Sequence, residues 1–123
     1  MPKIVFIDID GTVTDGIKRE EIVTKQGYVV GDYGSPNRQY PLGKYQFLMN
    51  FNHKDKFHLD DTLPYAKGFI EKLRQLSSED FQVFWLTARD VIYHDAIRID
   101  LEKRGLWFDG MRLICKPHAI FYN

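Results

Sequence analysis

The chain has 123 residues, 44% hydrophobic and 28% charged, with 17 Lys+Arg against 17 Asp+Glu. That composition suits one soluble globular domain and is too apolar for a disordered chain, while the zero net charge gives no basic field to attract nucleic acid or anionic membrane. No apolar run approaches the roughly 18 residues of a membrane helix, no signal peptide opens the chain, and the single Cys115 makes no internal disulfide, so a cytoplasmic location is expected.

Ile4–Ile7 is a short β-branched and aromatic run ending in Asp8-Ile9-Asp10-Gly11, as expected of a strand buried on both faces. From about Asp15 to Leu59 the rhythm changes. Ile22-Val23 and Tyr28-Val29-Val30, separated by Lys25-Gln26-Gly27, suggest a hairpin. Tyr45, Phe47, Met49 and Phe51 alternate with Gln46, Leu48 and Asn50 as in a half-buried strand. The expectation is a β-rich flap or small cap, residues 15–59, inserted after the first strand. Asp61-Thr62 before Pro64 predicts a helix start, with Asp60-Asp61 as its cap, followed by Ala66, Phe69, Ile70, Leu73 and Leu76 at helical spacing. Phe81–Leu86 is a second buried strand closing on Thr87-Ala88-Arg89-Asp90. A second helix runs from about Asp90 through Tyr93, Ile97 and Leu101 to Gly105, and Met111–Cys115 is a third strand ended by Lys116-Pro117. Strand, helix, strand, helix, strand predicts an α/β domain with a parallel sheet and right-handed crossovers.

Chemistry concentrates at Asp8-Ile9-Asp10-Gly11-Thr12. Acids at the carboxyl end of a parallel strand lie where open α/β sheets bind ligands, and they suit a hard cation such as Mg²⁺ or nucleophilic and acid–base work. The plainer alternative is a strand ending in a solvated acidic turn. The four histidines have no metal-ligand spacing, and Cys115, late in an apolar strand, reads as a small buried residue.

Asp8-Ile9-Asp10-Gly11-Thr12 resembles the first motif of the haloacid dehalogenase superfamily of Mg²⁺-dependent aspartyl-phosphate phosphatases. Leu86-Thr87-Ala88-Arg89 is similar to the second motif, and Lys116 stands where the third motif's cation would be. The resemblance, over residues 3–116, implies a single Rossmann-like α/β domain with at least three parallel strands and the flap outside the matched motifs. It implies Asp8 as nucleophile and Asp10 as general acid and base. Mg²⁺ would be held by the Asp8 side chain and the Asp10 main-chain carbonyl. Thr87 and the backbone amides of Ile9 to Gly11 would bind phosphoryl oxygens, Lys116 would supply fixed positive charge, and Thr12 would orient Asp10 beside the substrate. Arg89 and Asp90 either contact substrate or begin a helix with a capping carboxylate.

The implied activity is hydrolysis of a phosphorylated small metabolite, a nucleotide or a nucleic-acid end, the flap's tyrosines and basic residues being candidate substrate contacts. One departure opens an alternative. The superfamily's fourth motif, an acidic pair that completes the Mg²⁺ site, has no match between Lys116 and Asn123. A short chain, a fragment or a site completed by a partner would each account for this, and so would a catalytically weak phosphate-binding module. Without a fourth strand the first becomes a sheet edge, so the flap, the missing sequence, a second copy or a partner chain is expected to cover it.

Overall fold

The computed structural model describes residues 3–76 and 81–118. Its core is a three-stranded parallel sheet in the order β1-β4-β5, formed by β1 (Lys3–Asp8), β4 (Phe81–Asp90) and β5 (Arg112–Lys116). Two helices follow the strands in the expected places, α3 (Ala66–Leu76) before β4 and α4 (His94–Lys103) before β5. The architecture is α/β and compatible with a Rossmann-like arrangement. Among the described residues no helix is long and apolar enough to cross a membrane.

Both crossovers step the same way across the sheet, so right-handed connections place α3 and α4 on one face. Burial follows. Ile7, Val83, Trp85 and Leu113 pack with Ile70 and Leu73 of α3 and Ile97 and Leu101 of α4. Trp85 is fully buried, and its indole N–H donates to the sulfur of Met111 at 3.3 Å, which satisfies the one polar group of the ring. Alternate residues of the same strands stay open: Ile4 is 53%, Phe6 58%, Leu86 45% and Ile114 41% exposed. The expectation of strands buried on both faces therefore holds on one face only, because among the described residues no crossover covers the other. The strand order also leaves β1 at an edge.

The segment after β1 differs most from expectation. Its neck is a two-residue antiparallel ribbon, β2 (Thr14–Asp15) with β3 (Asp61–Thr62), but the body is helical. The proposed hairpin is replaced by α1 (Ile17–Lys25) and the proposed strand by α2 (Lys44–Phe51). In α1 the buried positions are Arg19 and Val23, four apart. The helix ends where Gly27 takes φ +81° and the N–H groups of Gly27 and Tyr28 reach back to the carbonyls of Thr24 and Val23 at 3.1 and 3.0 Å, a left-handed C-terminal cap that glycine adopts without strain. In α2 the rings of Phe47 and Phe51 stack at 5.5 Å, a spacing of four that a strand cannot provide. Alternation of aromatics is equally a partial helical stripe, and with no neighbouring strand to pair with, local helix formation prevails. Val23, Val29 and Phe47 form a small core of their own within this insert.

The helix starts also shift. Asp61-Thr62 is ribbon rather than cap, and α3 begins at Ala66. Beyond Leu86, β4 runs on to Asp90, with a register irregularity between Thr87 and Asp90. A 3₁₀ turn over Val91–Tyr93 then precedes α4. The Asp90 side chain accepts from the Ile92 N–H at 3.0 Å, so its capping role is real but serves this turn. The C-terminal stop of α4 before Gly105 falls as expected.

Candidate active site

The carboxyl ends of the three strands form one rim. Register pairs Asp8 with Leu86, Thr87 with Cys115, and Asp90 with Lys116. Asp8, Thr87 and Lys116 therefore share one end of adjacent parallel strands, about 4.8 Å apart, at the position where such sheets bind ligands. They do not share a face. Asp8 continues the open side of β1 and is exposed, whereas Thr87 continues the packed side of β4 and is only 5% exposed. The Thr87 hydroxyl accepts the N–H of Arg89 at 3.1 Å. Lys116 is half-buried. His118 is half-buried with Nδ1 2.8 Å from Asp90 Oδ2.

After Asp8 the chain coils tightly. The Ile9 carbonyl accepts from the N–H groups of Thr12, Val13 and Thr14 at 3.2, 3.0 and 3.3 Å. Gly11 sits at φ +78° and its N–H donates to the Thr14 carbonyl at 2.8 Å, while the Ile9 N–H donates to Asp8 Oδ1 at 3.0 Å. Two of the amides expected to bind phosphoryl oxygens, those of Ile9 and Gly11, are thus committed inside the turn. Sequence reasoning placed them by motif; the coil that consumes them is visible only in three dimensions.

Asp10 enters a buried four-residue network with Arg19, Asp60 and Arg89. Its Oδ1 accepts from Arg19 Nη2 and from Arg89 Nη2, both at 2.7 Å, and its Oδ2 from Arg89 Nε at 3.2 Å. Arg19 also forks onto Asp60, Nε to Oδ1 at 2.7 Å and Nη2 to Oδ2 at 2.9 Å. Arg89 Nη2 lies 3.4 Å from Asp60 Oδ2, and its guanidinium stacks 4.2 Å from the Phe57 ring centroid. Two cations and two anions neutralise one another, three of them buried and Asp10 partly open to solvent, and such groups are stable only when their bonds are made. Burial pushes the Asp10 carboxyl upward, but Arg89 and Arg19 outweigh it and hold the group below the ordinary aspartate value. For Asp60 burial prevails over the same two arginines, and its carboxyl is raised.

Three placements correct the sequence reading. Arg89, a candidate substrate contact, is 1% exposed and turned inward onto Asp10 and Asp60, its Nη1 buried without a hydrogen-bond partner among the described residues. Asp60 is a network anion rather than a helix cap. Asp10 is oriented by two arginines, Thr12 contributing a backbone bond to the turn. Sequence reasoning missed Arg19 and Asp60 as site neighbours, and also Arg104, which binds the carbonyls of Asp60 and Phe57 at 2.7 and 2.8 Å and so ties this segment to the end of α4. One signal was present: a charged residue, Arg19, four positions before Val23 on the buried stripe of a short helix.

The donor set can be tested against Mg²⁺. An exposed carboxylate at Asp8 and a main-chain carbonyl at Asp10 are hard oxygens, and Mg²⁺ commonly takes one or two protein oxygens and keeps waters. The Asp10 carboxylate does not fit as a ligand, because both oxygens already face guanidinium groups. Among the described residues no cluster of three or more His, Cys, Asp or Glu is placed to hold a metal. The tail that lacks the fourth motif lies, from residue 119, outside the described residues.

No protein-family model matches the chain, and no curated protein or solved structure does so.

Proposed function

We propose that this chain is a Mg²⁺-dependent phosphohydrolase of the haloacid dehalogenase type, acting through an aspartyl-phosphate on a phosphorylated small metabolite, a nucleotide or a nucleic-acid end. The observation that carries the reading is the exposed Asp8 carboxylate at the carboxyl end of β1, in register with the end of β4. An exposed carboxylate can reach a phosphorus atom, and a nucleophile of this kind splits one displacement into two easier steps.

In the first step an Asp8 oxygen bonds to phosphorus as the bond to the leaving oxygen breaks, and that oxygen takes up a proton from solvent water. In the second, water attacks phosphorus as the bond from phosphorus to the Asp8 oxygen breaks, its proton passes to solvent, and inorganic phosphate leaves with the Asp8 carboxylate restored. Lys116 at the end of β5 and the Thr87 hydroxyl would stabilise charge on the phosphoryl oxygens, the latter by donating its O–H while its oxygen keeps the bond it accepts from the Arg89 N–H. Mg²⁺, held by Asp8 and the Asp10 carbonyl, would neutralise phosphate charge during both steps.

The test is release of p-nitrophenol from its phosphate ester with and without Mg²⁺, beside Asp8→Asn. Mg²⁺-dependent turnover that falls to background in Asp8→Asn is expected. Equal background in all three samples sinks the proposal. One observation favours a second reading, a phosphate-binding module with little turnover: both Asp10 oxygens are held by arginines, which leaves that carboxylate poorly placed to move protons. Under this reading inorganic phosphate binds without Asp8-dependent hydrolysis.

A further inference from the structure

Arg19 is the most fully used side chain in the network. A guanidinium has five N–H donors, and each has an acceptor here. Nε donates to Asp60 Oδ1 and Nη2 to Asp60 Oδ2 and Asp10 Oδ1. Nη1 donates to the Phe51 carbonyl at 2.9 Å and to Asn52 Oδ1 at 3.1 Å. The guanidinium carbon also lies 4.5 Å from the Phe51 ring centroid, and the side chain is completely buried. These acceptors come from four places: the end of α2, the residue after it, the segment leading into β3, and the turn that follows Asp8. The first three belong to the insert or its neck; the last carries the rim chemistry.

We infer that Arg19 is a positioning residue through which the seating of the helical insert fixes the turn of residues 9–14 beside Asp8. The inference rests on the phosphohydrolase reading for its catalytic consequence, and on geometry alone for its structural one. A planar fork is required, because two bonds go to one carboxylate while a third goes to another, and an ammonium cannot reproduce that pattern. Displacing the turn by a fraction of an ångström moves the Asp10 carbonyl and the backbone that aims Asp8, which is the kind of misplacement that lowers turnover without abolishing binding.

The experiment compares wild type, Arg19→Lys, Arg19→Ala and Asn52→Ala by hydrogen exchange of the peptide covering residues 9–14 and by kinetics on p-nitrophenyl phosphate. In folded Arg19→Lys the 9–14 amides exchange faster than in wild type, and kcat falls about a hundredfold with KM little changed. Millimolar guanidinium, but not methylammonium, restores part of the Arg19→Ala turnover. Should the Arg19 variants not fold, Asn52→Ala, which removes one peripheral acceptor, decides the matter by a smaller change of the same sign in exchange and kcat. Unchanged exchange and unchanged kcat in a folded variant overturn the inference. If wild type has no Asp8-dependent turnover, the phosphohydrolase reading fails, and exchange alone then judges the positioning role.

Discussion

Asp10 and Cys115 show how a neighbouring charge and burial pull in different directions. Asp10 is partly buried, which favours its neutral form, yet two arginines keep it ionised and its carboxyl low. A group lowered in the folded state adds stability that is fully present above the unfolded value, near 4, and is lost as pH falls through the lowered one. The thermal midpoint of the wild type is therefore expected to fall on acidification below about pH 4. Asp10→Asn, less stable at neutral pH, should lose less over the same range in a pH series of melting curves. Asp60 works in the opposite sense, its raised carboxyl favouring the folded state at lower pH, and because the Asp10 charge contributes to that rise, Asp10→Asn weakens both effects together. At Cys115 burial wins over the nearby Arg89 and pushes the thiol up to about 11. Thiolate is the reactive form, so labelling by a disulfide reagent at pH 8 is expected to be much slower than for free cysteine and to accelerate in denaturant. Legibility at this scale is uneven. Cys115, read as buried from its place late in an apolar run, is half-buried. The Arg19–Asp60 pair was not, because its partners lie 41 positions apart and their meeting depends on how the insert folds back.

At the scale of elements, the segments with a long-range reason to exist were the easiest to read. Strands β1, β4 and β5 and helices α3 and α4 bury one stripe each against a common core, and the residues that do so recur at fixed periods. Leu101, fully buried in α4, tests that account: Leu101→Ala is expected to cost about 2–5 kcal/mol, measured by urea unfolding with an unchanged slope. The insert misled for a physical reason. Tyr45, Phe47, Met49 and Phe51 fit both periods over so short a stretch, and two contacts decide: the local i to i+4 stacking of Phe47 on Phe51 and, between distant parts of the insert, the packing of Val23 and Val29 with Phe47. Helix starts slipped by several residues because Asp60 and Asp61 have the chemistry of caps but are claimed by the arginine network and the ribbon.

For the whole molecule, the direction of the crossovers governs what remains open. Two steps the same way cover one face of the sheet and leave Ile4, Phe6, Leu86 and Ile114 on the other, beside the exposed Asp8. Parallel sheets are ordinarily covered on both faces, and an apolar face of this kind binds hydrophobic dyes. The native protein is expected to enhance anilinonaphthalene sulfonate fluorescence at neutral pH, and Phe6→Glu to reduce that enhancement with little loss of stability, Phe6 being 58% exposed. A dye signal unchanged by Phe6→Glu would place the binding elsewhere.

The α/β class, the three parallel strands and the rim residues Asp8, Thr87 and Lys116 were determined by the sequence alone, since apolar periodicity and the residues that end each run are properties of neighbours along the chain. Which face those residues occupy, that Asp10 and Arg89 turn inward, and that Arg19 joins them were decided only by tertiary structure. Ion pairs between distant segments form where packing brings the charges together and excludes water, and no local pattern encodes that meeting.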